Sequence, residues 1–127
     1  MTEKPKKKVL IVEDDLLMAN VVANKFKLAD FDATMVGDGQ AAVDLLFKDN
    51  FDAVLLDLTM PWFDGFHVLE ELKKRNFKPP VVIMSNLAGA DDIAKAKALG
   101  AVNYLVKTSV TPDQIVKEVQ KAIEAQK

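Results

Sequence analysis

The sequence contains no cysteine, so it can form neither a disulfide bond nor a thiolate metal site. Its formal net charge is −2, and it therefore lacks the basic excess typical of proteins that bind nucleic acid or a membrane surface directly. Long apolar runs are also missing. The run after the lysine-rich start, Val9–Val12, ends at Glu13 and is too short for a signal peptide or a membrane span. Together these absences predict a protein of the cytoplasm.

No internal repeat, low-complexity insert or second domain is visible in the 127 residues. This length is typical of one domain, for which ~100–150 residues is the common size. Half of the residues are hydrophobic and 28% are charged, an ordinary composition for a protein that buries a core. We expect residues 1–7 to form a short basic N-terminal tail and residues 8–127 to form the domain.

Short apolar runs alternate with longer segments of helical periodicity along the chain. The predicted strands are Val9–Val12, Phe31–Val36, Ala53–Leu56, Val81–Met84 and Val102–Val106. Five helices are predicted. The first begins after Asp15 and the last begins after Thr111, and each of these two residues is the N-cap of its helix. The other three helices cover Gln40–Lys48, Phe66–Arg75 and Asp91–Leu99. Four of the five strand runs are continuously apolar, which is typical of strands covered on both faces. The alternation predicts an α/β fold, a single doubly wound (βα)5 domain with a parallel sheet.

Polar side chains follow four of the predicted strands at their carboxyl ends, which is where open α/β sheets bind ligands. Asp57 is the most informative of them, because it directly follows the apolar run Ala53–Leu56 and an unpaired buried charge costs several kcal/mol. The other polar residues that end a strand are Glu13, Asp14, Ser85 and Lys107. Three carboxylates, a hydroxyl and an ammonium are therefore predicted to share one edge of the sheet.

Three carboxylates held close together repel one another, which raises at least one pKa and costs stability. A hard divalent cation, Mg²⁺ or in its place Mn²⁺, resolves that conflict because it prefers oxygen ligands. Asp14 and Asp57 suit direct ligation, and Glu13 suits ligation through water. A phosphoryl group on Asp57 would then be held by the cation, the Ser85 hydroxyl and the Lys107 ammonium, an environment that suits phosphoryl transfer.

The motifs, taken in their order along the chain, are similar to those of a known family. They are Val12-Glu13-Asp14-Asp15, Leu56-Asp57-Leu58-Thr59-Met60-Pro61, Asp64-Gly65, Ser85 at the end of an apolar strand, and Gly100-Ala101 before Tyr104-Leu105-Val106-Lys107. Over essentially its whole length the chain resembles the receiver domain of two-component response regulators, of the stand-alone, phosphoacceptor type. No single motif is specific to that family, but the set in this order is.

The resemblance implies a flavodoxin-like fold with a five-stranded parallel sheet in the order 2-1-3-4-5. It also implies a role for each site residue: Asp57 as phosphoacceptor, Glu13 and Asp14 as metal-binding acids together with Asp57 and the Thr59 backbone carbonyl, Lys107 as the phosphate-contacting lysine, and Ser85 and Tyr104 as the switch pair. The implied phosphoryl donor is a sensor histidine kinase or a phosphotransfer protein. The implied output is an altered surface of the fourth helix, fifth strand and fifth helix, read by an unknown downstream protein.

Two departures from the family pattern concern the switch. Thr108 follows Lys107 where the family usually has a proline, often with a cis peptide. A non-proline cis bond costs ~2.5–4 kcal/mol, so we expect a trans loop or visible strain there. Asn86 stands where a small alanine is common, which would crowd access to the phosphoryl group. These departures leave open the alternative of a non-phosphorylated pseudo-receiver that acts only by docking.

We do not expect the protein to be an enzyme. We expect it to be a phosphoryl acceptor that assists its own phosphorylation and dephosphorylation. A metal-dependent phosphatase would need a second acid two residues after the nucleophile, and that position is Thr59. Nucleotide or flavin binding is disfavoured because no glycine-rich phosphate loop follows the first strand. The apolar side chain of Leu87 offers no group that orients an attacking water, which predicts slow loss of the phosphoryl group.

Overall fold

The computed structural model of the chain describes residues 5–126, within which strands and helices alternate. The strands are β1 (Lys7–Val12), β2 (Phe31–Val36), β3 (Ala53–Leu56), β4 (Val81–Ser85) and β5 (Asn103–Val106). The helices are α1 (Leu16–Leu28), α2 (Gly39–Leu46), α3 (Gly65–Lys74), α4 (Ala90–Ala98) and α5 (Pro112–Glu124), with a short 3-10 helix at Lys107–Ser109. The predicted β-α alternation, repeated five times, is confirmed.

All strands are parallel and lie in the order β2-β1-β3-β4-β5, which confirms the predicted doubly wound, flavodoxin-like fold. The strands are covered on both faces, as their continuous apolar runs indicate. In β1, Val9 and Ile11 pack with α1 and α5, whereas Leu10 and Val12 pack with α2, α3 and α4. Because all strands are parallel, their carboxyl ends lie at one common edge of the sheet, between the two layers of helices.

Side-chain caps begin four of the five helices. Asp15, Asp38, Asp64 and Thr111 each accept a hydrogen bond from a backbone N–H in the first turn of α1, α2, α3 and α5. The predicted N-caps Asp15 and Thr111 are thus confirmed. Gly100 follows α4 with a φ of 109°, a left-handed conformation that glycine adopts without strain and that suits the end of a helix.

Element boundaries differ from the predicted ones by one or two residues. Ser85 is the last residue of β4 because it pairs with Val106 of β5, and it was predicted to lie just after the strand. Part of the predicted N-terminal tail, residues 1–4, lies outside the described residues. Lys7, which we assigned to that tail, is the first residue of β1 and pairs with Phe31 of β2.

Candidate phosphoacceptor site

The ends of β1 and β3 position two buried carboxylates side by side. These strands are paired up to Val12 and Leu56, and the ladder continues one step further because the N–H of Asp57 donates to the Val12 carbonyl at 2.9 Å. On the other side, the N–H of Glu13 donates to the carbonyl of Val36 at 3.0 Å. Glu13 is 3% and Asp57 is 1% exposed, so the backbone holds both acids out of water.

Asp14 completes a cluster of three acids. One carboxylate oxygen from each of Glu13, Asp14 and Asp57 lies within 4.8 Å of the others, and only Asp14 is exposed to solvent. The ammonium of Lys107, at the end of β5, reaches into the cluster. Its Nζ lies 2.5 Å from Glu13 Oε1 and 3.3 Å from Asp57 Oδ2. Four residues named from the sequence therefore meet at one place.

The cluster shifts the pKa of two of its members. Burial raises the pKa of Glu13 from 4.5 to about 7, against the opposing effect of the Lys107 ammonium, and the charge of Asp57 raises it further. Burial alone would lower the pKa of Lys107, but the carboxylates of Glu13 and Asp57 outweigh this and raise it. The predicted rise of one carboxyl pKa is found, although burial contributes more to it than repulsion does.

The donor set fits a hard divalent cation. Glu13 Oε1 is buried and accepts no aligned hydrogen bond within the described part of the chain, although it forms a close ion pair with Lys107. Because that ammonium is shared with Asp57, and two more carboxylates lie beside it, the Glu13 oxygen is suited to help bind a cation. Among the described residues, the donors are carboxylates without histidine or thiolate, which suits Mg²⁺ or Mn²⁺ rather than a softer metal.

Thr59 and Gly65 hold Asp57 in place. Oδ1 of Asp57 accepts hydrogen bonds from both the N–H and the hydroxyl of Thr59, each at 3.2 Å. A Cβ on Gly65 would lie 2.4 Å from the Asp57 carbonyl oxygen, so only glycine lets α3 begin this close to the acid. Thr59 was predicted to act through its backbone carbonyl, and the hydrogen bond from its hydroxyl to Asp57 was not predicted. The motif Asp-x-Thr, an Asx-turn pattern, was the available signal.

Ser85 and Tyr104 are joined to each other rather than to the acids. The Ser85 hydroxyl is buried and accepts a hydrogen bond from the N–H of Leu87 at 3.2 Å. The Tyr104 hydroxyl donates to the carbonyl of Leu87 at 2.7 Å. Among the described residues, no hydrogen bond links Ser85 to Asp57. Leu87 was noted in the sequence for its side chain, whereas its backbone is what bridges the predicted switch pair.

The departures from the family pattern leave the pocket intact. No peptide bond among residues 5–126 is cis, so Lys107 and Thr108 are joined by a trans bond and lie in the 3-10 helix. A trans loop or visible strain was expected at this bond, and the structure has the trans loop. Asn86 is exposed at the surface, whereas Glu13 and Asp57 are buried. No helix in the described part of the chain has the length and apolar character needed to cross a bilayer.

Comparisons with known proteins agree with this geometry. A family model for the response regulator receiver domain matches residues 9–120. The cell cycle response regulator CtrA of Brucella ovis is 32% identical over 100 residues, which cover 79% of this chain and 43% of CtrA. The chain thus spans less than half the length of the curated relatives that it matches.

Solved structures give the same result over nearly the whole chain. The receiver domain of the Francisella response regulator 1452 superposes with a TM-score of 0.90 at 30% identity and covers 96% of this chain and 100% of that one. The Vibrio cholerae chemotaxis protein CheY4 gives a TM-score of 0.85 at 25% identity, covering 93% and 99%. The chain belongs to the response regulator receiver domain family.

Proposed function

We propose that the chain is a phosphoacceptor switch that receives a phosphoryl group on Asp57 from the phosphohistidine of a sensor histidine kinase or phosphotransfer protein. The observation that carries the proposal is the meeting of Glu13, Asp14 and Asp57 within 4.8 Å, with the Lys107 ammonium 3.3 Å from Asp57. A docking module that is never phosphorylated would have no need to bury two acids in this way.

The proposed reaction transfers the phosphoryl group between two nucleophiles. A carboxylate oxygen of Asp57 attacks phosphorus, the P–N bond of the donor breaks, and its electron pair leaves with the imidazole. Thr59 keeps the carboxylate in position through its two hydrogen bonds to Oδ1. Lys107 stabilises the charge that develops on the phosphoryl oxygens.

Glu13, Asp14, Asp57 and the Thr59 backbone carbonyl are the proposed ligands of Mg²⁺ or Mn²⁺. When bound, the cation would offset the negative charge of the carboxylates and the phosphoryl oxygens. Lys107 alone cannot do this, because it supplies one positive charge against three acids and is already shared between Glu13 and Asp57. The side chains therefore need an additional cation before another anion enters the pocket.

The proposed output begins at Ser85. A phosphoryl group on Asp57 adds three strong acceptor oxygens, and the Ser85 hydroxyl is positioned at the end of the neighbouring strand to donate to them. Movement of Ser85 would break its hydrogen bond with the N–H of Leu87, whose carbonyl holds Tyr104. Since Leu87 precedes α4 and Tyr104 lies in β5, the surface formed by α4, β5 and α5 would change with them.

Incubation with acetyl phosphate and Mg²⁺ followed by intact-protein mass spectrometry tests the proposal. We expect the wild type to gain the mass of one phosphoryl group, and both Asp57→Asn and the wild type in excess EDTA to gain none. Asp32→Asn, which removes an exposed acid on β2, is the matched control and should be labelled normally. Absence of label on the wild type, or equal label on Asp57→Asn, would refute the proposal.

A further inference from the structure

Charged side chains are distributed unequally between the two ends of the sheet. Glu13, Asp14 and Asp57 meet at the carboxyl ends of the strands. At the amino ends, residues 6–8 are three lysines at the start of β1, and Lys78 lies in the connection from α3 to β4. The formal net charge of −2 is a sum and conceals this separation. A positively charged end of the molecule attracts a negatively charged partner.

The strand registers place Lys7, Phe51 and Lys78 in one row at this end. Continued past the ends of the strands, the β1–β3 register sets Lys7 beside Phe51, and the β3–β4 register sets Lys78 beside Phe51. All three residues line one cavity of about 350 Å³. Two strand spacings separate Lys7 from Lys78, which is roughly 10 Å along the backbone row. An apolar floor therefore lies between two lysines.

Lys7 and Lys78 lack the partners that their neighbours have. The lysines at positions 6 and 8 form ion pairs at 3.7 and 2.7 Å, whereas Lys7 and Lys78 are exposed and form none with any other residue between 5 and 126. Neither lies in a helix, so neither serves to offset the charge at a helix C-terminus. Asp52 is the one acid among the described residues that line the cavity, and its carboxylate already accepts the N–H of Lys8 at 2.7 Å. The two ammonium groups are thus available to an external anion.

A second cavity, of about 270 Å³, adjoins the first. The two share Lys78, Pro79, Pro80 and Gln126 as lining residues. The rest of the second cavity is mostly apolar; in the described part of the chain no acid lines it, and Lys73 adds another positive charge. Both volumes are near or below the lower limit of pockets that enclose a whole small molecule. They suit apolar side chains that project from the surface of a partner.

We propose that these two cavities, with Lys7 and Lys78, are a docking surface for an acidic amphipathic helix of another protein. Two acids seven positions apart lie on one face of a helix and about 10.5 Å from each other, close to the spacing of the two lysines. Apolar residues three and four positions after the first acid lie on the same face, between the two acids. Each acid pairs with one lysine, and the apolar side chains enter the cavities.

Other occupants fit this surface less well. Single-stranded nucleic acid is bound by stacking on free aromatic rings, and the rings here are already covered. The ammonium of Lys8 lies 5.0 Å from the ring centre of Phe51, and the guanidinium of Arg75 lies 4.8 Å from that of Phe47. A second copy of the chain does not supply the pattern either, because none of the helices α1–α5 carries two acids seven positions apart.

The docking surface is remote from the phosphoacceptor site. Phe51 and Asp57 are six residues apart along β3 and its ends, which corresponds to roughly 20 Å of extended chain. A partner bound at the amino ends of the strands therefore leaves the acid cluster open to a phosphoryl donor. The inference does not rest on the proposed function, and either can fail without the other.

Fluorescence anisotropy with the full chain and a labelled peptide tests the inference. The probe is a fluorescein-labelled, alanine-based helical peptide with two glutamates seven positions apart and two leucines between them. One matched peptide has glutamine in place of both glutamates, and another has alanine in place of both leucines. The protein variant is Lys7→Glu with Lys78→Glu. Its control is Lys27→Glu with Lys117→Glu, which changes the net charge equally at exposed lysines that line neither cavity.

We expect the Kd of the probe to rise by about tenfold or more in the Lys7 and Lys78 double variant and to stay unchanged in the control. Each of the two matched peptides should bind the wild type more weakly than the probe does. A peptide with lysine in place of both glutamates should bind the double variant more tightly than it binds the wild type. Equal labelling of Asp57 by acetyl phosphate in every variant shows that the fold is retained.

Four results would overturn the inference. No binding of the probe at chain concentrations up to about 1 mM would show that the surface does not hold such a helix. An equal loss of affinity in the control variant would reduce the effect to net charge, and equal affinity of the glutamine peptide would exclude the lysines as its partners. Tighter binding of polyuridylate, or of phosphatidylserine vesicles, than of the probe would assign the surface to nucleic acid or to a membrane.

Discussion

Replacing Glu13 with glutamine should stabilise the metal-free protein, and by an amount that grows with pH. The pKa of Glu13 is raised from 4.5 to about 7 by burial and by Asp57. Between these two pH values the folded protein keeps a proton on Glu13 that the unfolded chain has released. The free energy of unfolding therefore falls as pH rises from about 4.5 to about 7 and changes no further above it through this group.

The size of the effect follows from the pKa difference. At 1.36 kcal/mol for each pKa unit, a change from 4.5 to about 7 corresponds to about 3 kcal/mol. Solvent at the mouth of the pocket, where Asp14 is exposed, screens part of this. We expect the stability difference between Glu13→Gln and the wild type to grow by about 1–2 kcal/mol between pH 4.5 and pH 7.5. Lys107 keeps Asp57 as a partner in the variant.

Urea unfolding in excess EDTA, followed by circular dichroism, measures this difference. Fluorescence is a poor probe because Trp62 is already 98% exposed in the folded protein. The expected gain corresponds to a midpoint that is higher by roughly 0.5–1 M urea at pH 7.5, with the slope m unchanged. Asp32→Asn removes one exposed negative charge far from the pocket and should show no such pH-dependent gain. A constant or shrinking difference between Glu13→Gln and the wild type would refute the reasoning.

Three further changes separate metal binding, phosphoryl lifetime and stability. Asp14→Asn should raise the melting temperature of the metal-free protein, as measured by scanning calorimetry. The same variant should lose the increase in melting temperature that Mg²⁺ gives the wild type. If the variant kept that increase, Asp14 would be excluded as a ligand. Leu87→Asp should shorten the phosphoryl lifetime after removal of donor by about tenfold or more, because it supplies a group that can orient water, and an unchanged lifetime would contradict this. Thr111→Ala should lower the free energy of unfolding by about 1 kcal/mol in urea, since it removes the capping box with Gln114, whereas Thr111→Ser should retain it.

The fold could be predicted because its signals are local and repeated. Continuous apolar runs mark strands covered on both faces, and Ala53–Leu56 is fully buried as such a run requires. Asp15 and Thr111 mark helix starts through a preference for side-chain oxygens at the N-cap. Parallel strands end at one edge, so the meeting of Asp57 with Glu13 and Lys107 followed from the element order alone.

The remaining features depend on tertiary contacts that have no local signal. Nothing in the sequence around Leu87 indicates that its backbone accepts from Tyr104, seventeen residues further along the chain. The positive φ of Trp62 results from the path of the loop and runs against the preference of the residue. Helix ends differ by one or two residues because the last turn of a helix forms from weak, competing hydrogen bonds.

The strain in the acid pocket and its proposed chemistry have a common cause. Backbone hydrogen bonds from Asp57 to Val12 and from Glu13 to Val36 extend the sheet, so the two carboxylates cannot separate without breaking the ladder. Repulsion can be relieved only by a proton on Glu13, by the ammonium of Lys107, or by a bound cation. A sheet that holds its acids this rigidly is destabilised by them in the metal-free state. By mass action, any cation that binds the folded pocket restores that stability, and the same rigidity keeps Asp57 positioned for attack.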